Sequence, residues 1–237
     1  MRKTLKSVAG CILMLLSLLV TQVFADQVQA QLLVYRVAES GAEPYISRLL
    51  VTPELLRMDQ GQGDAGYILF ERKARIIYSV NPDDETILIV NPSENSLAPP
   101  DDLKLSARQV EGESIPLVAG QTPQHWEFLA NGQVCRHAIV LPGVMSGATE
   151  AYSEYLDLLA YQQQTSLAAI PVEFQTPCDL AMHIYAAHSV LEKGLPLHEW
   201  DGEGRQQELV DFREGFSIPV ESFQLPEGFR RVKMEKI

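Results

Sequence analysis

Between residues 27 and 90 the chain is interrupted every few residues by Gly, Pro, Asn or Asp, and the stretches between are apolar and rich in β-branched side chains. The runs are 27–36 (QVQAQLLVYR), 45–52 (YISRLLVT), 55–59 (LLRMD), 66–71 (GYILFE), 74–80 (ARIIYSV) and 86–90 (TILIV). An ordinary helix does not fit between such stops. Short runs joined by short turns predict an antiparallel meander. Asn81-Pro82-Asp83-Asp84 is a strong turn, because Asn and Asp bond back to their own backbone and Pro presets φ. Alternation resumes at 103–111 (LKLSARQVE). It is clearest in 125–130 (HWEFLA) and 133–141 (QVCRHAIVL), on either side of Asn131-Gly132. Both central residues of a two-residue hairpin turn need positive φ, so Asn-Gly here predicts a hairpin.

The period changes near Ser146. Within 149–164, Ala151, Tyr152, Tyr155, Leu158, Leu159 and Tyr161 fall close to helical spacing. Thr176-Pro177 opens a second predicted helix, 178–193, and Gly194 stops it; Pro at the start and Gly at the stop is the expected asymmetry. Strand character returns at 197–200, 207–212 and 229–234. The expected fold class is α+β: an antiparallel sheet with a two-helix insertion at 147–194, in a single domain over 26–237.

The first residues read as an address. Arg2, Lys3 and Lys6 form a basic start, 11–20 (CILMLLSLLV) is an apolar run, and Val23-Phe24-Ala25 is an A-x-A-like site. This pattern predicts a secretory signal cleaved after Ala25. The run is too short to span a bilayer comfortably, so no stable transmembrane span is expected after cleavage. Cys11 precedes the apolar run and belongs to the signal, not to a lipid-attachment box. The expected location is periplasmic. Cleavage leaves Cys135 and Cys178 of the three cysteines. In an oxidising compartment they predict one disulfide, the alternative being two unrelated buried thiols.

The net charge of −12 argues against a nucleic-acid partner and against adhesion to an anionic membrane surface. No set of residues has the spacing of a catalytic or cofactor motif. His183 and His188 are five apart and do not share a helix face, whereas His188 and Glu192 do. Asp83-Asp84-Glu85 and Asp101-Asp102 lack the alternation and glycine of a calcium loop. Gly143-Val144-Met145-Ser146-Gly147 is not a nucleophile elbow. Cys135 and His137 lie two apart on one face of a predicted strand, where a nucleophile pair competes with a disulfide. No cofactor and no metal site is expected. Tyr67, Phe70, Tyr78, Trp126 and Phe128, all on predicted strands, form a candidate ligand groove, although aromatics on strands are more often core.

One series of residues resembles a known family. Leu56-Arg57-Met58-Asp59, the glycine-rich turn, Gly66-Tyr67-Ile68-Leu69-Phe70, Ile76-Ile77-Tyr78-Ser79-Val80-Asn81-Pro82 and Thr86-Ile87-Leu88-Ile89-Val90 follow one another, and Ser222-Phe223-Gln224-Leu225-Pro226-Glu227-Gly228-Phe229 closes the chain. The series is similar to the domain family of unknown function 4412 and, more loosely, to periplasmic lipoprotein carriers. The resemblance implies a curved antiparallel half-barrel wrapped round helices, with an apolar concave face that holds acyl chains in lipoprotein carriers. It supplies no active site. The function expected is a non-catalytic periplasmic protein that binds an apolar ligand (lipid or acyl chain) or an envelope protein partner. The alternative is a structural interaction module without ligand, and an enzyme is the third reading. An open, apolar inner face would favour the binder and a filled one the module.

Overall fold

The computed structural model describes residues 26–62, 65–91, 98–167, 170–171 and 175–233. The predicted signal, 1–25, lies outside the described residues. Six strands run in order: β1 (Gln27–Ala38), β2 (Tyr45–Val51), β3 (Leu55–Asp59), β4 (Tyr67–Glu71), β5 (Ile76–Asn81) and β6 (Thr86–Val90). They form the predicted meander, each antiparallel to the next. Next come β7 (Leu105–Val110), β8 (Gln124–Ala130) and β9 (Gln133–Leu141), then α1 (Ser146–Ser166) and α2 (Pro177–Leu180). The chain ends with β10 (Leu195–Asp201), β11 (Gln206–Pro219), a 3-10 turn (Val220–Phe223) and β12 (Arg230–Lys233). The β8–β9 hairpin turns at Asn131 (φ 51°) and Gly132 (φ 81°), as the Asn-Gly pair predicts.

All twelve strands join one open, curved sheet in the order β12-β6-β5-β4-β3-β2-β1-β11-β10-β9-β8-β7. It is mixed, because β12 runs parallel to β6 whereas every other pairing is antiparallel. The long β1–β11 ladder fuses the N-terminal meander to the second half of the sheet.

Each face of the meander is covered by the chain itself. On one face, α1 buries Ala148, Ala151, Tyr155 and Leu158, one stripe of the helix, against Leu33, Leu49, Leu56, Phe70 and Ile77. Phe70 and Tyr155 meet edge-on at 6.0 Å between ring centroids. Arg72, in the β4–β5 turn, clamps the helix by donating from Nε and Nη2 to the two carboxylate oxygens of Glu154, at 2.7 and 2.9 Å. The opposite face carries Leu32, Leu50 and Leu69, covered by Phe223 and Leu225 of the strap between β11 and β12.

The second predicted helix differs from expectation. Thr176 caps it, with Oγ1 accepting the Asp179 N–H, and Pro177 sits in the first turn. Regular α-helix nevertheless ends at Leu180. Ala181–Tyr185 is a π-helical turn, closed by the Ala186 N–H donating to the Ala181 carbonyl at 2.8 Å, and short turns continue to Lys193. Ala181, Met182 and Ile184 of this turn are buried. Gly194 ends the segment as predicted. A Cβ there would stand 2.5 Å from the Leu141 carbonyl oxygen, and its φ of 140° suits glycine.

Candidate functional site

The π-helical turn is pinned by a covalent bond. The β8–β9 ladder pairs Phe128 with Arg136 and Leu129 with Val134, so Cys135 is an extra residue in a β-bulge. A bulge re-aims a side chain. Here it accompanies a Cys135 side chain that packs toward Ala181 and Met182. Cys178 on α2 meets it there in a disulfide, with Cα atoms 5.2 Å apart. The predicted pairing is therefore present, and it fastens the helical segment to the sheet. The bulge also separates Cys135 from His137, which stacks instead on Trp200 in a different cluster. The expectation that Cys135 and His137 share a face is corrected.

Three cavities surround the π turn. The largest, about 570 Å³, lies between the C-terminal half of α1 and the α2–π segment. Leu159, Leu167, Leu180 and Ile184 give it apolar walls, and Gln162, Gln163, Gln175, Asp179 and His183 are among its polar lining. A second, about 90 Å³, lies between the helices and β9–β10 and is polar: Arg136, Tyr152, His183, Glu199, Asp201 and Arg205 line it. Burial, reinforced by the negative charge of Glu199, pushes the Tyr152 phenol up to about 12, so it stays protonated. Partial loss of water, together with Arg136 and Arg205, holds the His183 imidazole below its ordinary value. The third, about 320 Å³, opens between β7–β8 and the turns after the π segment, by His188 and Ser189. His188 donates from Nδ1 to Asp157 of α1 and its Nε2 contacts Glu192 at 3.2 Å. The bond to Asp157 raises the His188 pKa against the opposing effect of burial. The predicted closeness of His188 and Glu192 is present, and it is the bond from His188 to Asp157 that tethers the turns to α1.

The five aromatics expected to line one groove do not come together. Register puts Tyr67 and Tyr78 on one face of the sheet and Phe70 on the other. Phe70 is wholly buried beneath α1. Tyr67 lies under the Arg57 guanidinium at 3.8 Å and donates its hydroxyl to the Gln224 carbonyl, so it holds the strap. Trp126 and Phe128 belong to the core around the disulfide. Tyr67 lines a cavity of about 650 Å³ beside the strap, and Phe128 lines the cavity between β7–β8 and the turns, so the two face different spaces.

Two features were missed in the sequence. One is the groove beside the π turn, because its walls come from segments with no local sign of a cavity. The other is a stack on the second half of the sheet. Trp200 lies between His137 (5.0 Å, near-parallel) and His198 (4.7 Å), and His125 Nε2 contacts His137 Nδ1 at 3.2 Å. Cross-strand register brings these rings together from β8, β9 and β10. Among the described residues, no group of three or more His, Cys, Asp or Glu side chains is placed to hold a metal ion. No described helix is long and apolar enough to cross a membrane.

No protein-family model matches this chain, and no curated protein matches it. Among solved structures it is similar to an uncharacterized conserved protein from Thermus thermophilus. That match has TM-score 0.45 and 10% identity, and covers 87% of this chain and 91% of that one. It is also similar to PNGF-II, with TM-score 0.39 and 10% identity over 88% of this chain and 31% of that one. Such distant likenesses carry no functional argument to this chain.

Proposed function

We propose that this chain is an exported, non-catalytic binder of apolar ligands of the acyl-chain type, which it holds between α1 and the α2–π segment. The observation that carries this reading is the groove of about 570 Å³ walled by Leu159, Leu167, Leu180 and Ile184. Its size falls within the range of small-molecule sites, and apolar walls with a few polar groups suit a hydrocarbon chain. The π turn supports the reading, since such irregular turns concentrate at functional sites. The similarity to lipoprotein carriers supports it too: the open curved sheet is read as their half-barrel, and the N-terminal signal as the route to the periplasm. The binding surface differs from the one expected, because α1 fills the inner face that the resemblance assigned to ligand.

That filled face favours a second reading, a structural module of an envelope assembly that binds no ligand. Titration with a fluorescent apolar probe separates the two. The wild-type chain takes up the probe, and Leu180→Trp, which fills the groove, abolishes uptake without lowering the melting temperature. A wild-type chain that takes up no probe overturns the binder and leaves the module.

A further inference from the structure

The apolar groove and the small polar cavity share one lining residue, His183, so they flank its side chain. An occupant of the groove with a polar end would reach the second cavity past this imidazole. The chemistry of that cavity is set by which of its groups are already engaged.

Its two carboxylates are in use. Glu199 accepts from Arg136. Asp201 Oδ1 accepts the backbone N–H groups of Glu203 and Arg205, at 2.9 and 3.0 Å, and closes the β10–β11 turn. The guanidinium donors are less committed. Arg136 reaches Glu199 through Nη1 alone, at 3.4 Å, and Arg205 approaches Glu39 only at 3.8 Å. A guanidinium carries five N–H donors in a planar fork suited to a carboxylate. The cavity, lined by two guanidinium groups and two carboxylates, keeps guanidinium N–H groups that no carboxylate among the described residues takes up at short range, and its volume of about 90 Å³ suits a small head group.

We infer that the ligand is a single-chain amphiphile with a carboxylate head, its chain in the apolar groove and its head at Arg136 and Arg205 past His183. This inference rests on the apolar-ligand reading above and adds the chemistry of the head.

Calorimetric titration of the whole chain with dodecanoate and with dodecanol tests it, since the two share a chain and differ in charge. Dodecanoate binds at least about ten-fold tighter, the scale of a charge-assisted hydrogen bond. Arg205→Gln, at a half-exposed turn position, removes that preference and leaves dodecanol affinity unchanged. Arg136→Gln does the same in protein whose melting temperature is retained. Equal affinity for the two ligands in the wild-type chain overturns the carboxylate-head inference and leaves the apolar groove standing. An Arg205→Gln chain weakened equally toward both overturns it as well. If neither ligand binds, the groove reading itself falls and the head-group inference falls with it.

Discussion

Asp59 is a charged group almost wholly removed from water, with its side chain 1% exposed. Burial alone would raise its pKa. Hydrogen bonds from Arg48 and Arg57, with the Gly61 N–H, outweigh burial and hold the carboxyl below its ordinary value. Arg57 also donates to the Ser222 carbonyl at 2.6 Å, so the same cluster grips the strap. A depressed carboxyl pKa in the folded state contributes stability that is present above the unfolded value of about 3.9 and is lost as pH falls through the folded value. Asp59→Asn is expected to cost about 3 kcal/mol at neutral pH, because it leaves two part-buried guanidinium groups facing a neutral amide. It is also expected to remove one acid-side loss of stability. Urea midpoints measured from pH 7 down to pH 3 check both, and a variant as stable as the wild type at pH 7 contradicts them. The Arg-Met-Asp pattern is visible in the sequence as a family-like signature. Its role as a latch is not, because Ser222 lies 165 residues from Arg57 and only the fold joins them.

At the scale of elements, the ends of the second helical segment were legible and its interior was not. Caps are local chemistry: Thr176, Pro177 and Gly194 act through their own backbone and immediate neighbours. The π turn answers to burial against β8 and β9 and to a crosslink from a bulged strand, neither of which has a local signal. The Cys135–Cys178 pairing was legible only because the expected signal cleavage leaves two cysteines. Its bond spans a separation of 43 residues, and loop-closure reasoning puts its contribution at about 4 kcal/mol. The double variant Cys135→Ala/Cys178→Ala is expected to lose stability on that scale. Amide exchange should quicken first in 175–194, where packing alone then holds the π turn on the sheet. Uniform quickening across the sheet, with no excess in 175–194, would contradict the view that the disulfide acts by pinning this segment.

For the whole molecule, strands apolar on both faces require cover on both faces, and Tyr67–Phe70 and Ile87–Val90 have too few polar positions to leave one face to water. The sequence could not say whether the cover was ligand or protein. Here α1 lies on one face and the strap on the other, so Tyr67, Phe70 and Tyr78 are occupied with internal packing. The meander and the Asn131-Gly132 hairpin were legible because turn chemistry and alternation act over short distances. The groove was not, since it appears only when α1 and the α2–π segment are set side by side. The cationic strand β12, with Arg230, Arg231 and Lys233, ends the sheet with charge that discourages further strand pairing. The space beside the π turn is proposed to hold an apolar chain. Native mass spectrometry of the protein released gently from its own envelope fraction tests it most directly. The account predicts a mature mass plus one amphiphile, released on denaturation and absent from Leu180→Trp. A bare mature mass, unchanged after incubation with dodecanoate or dodecanol, would contradict it.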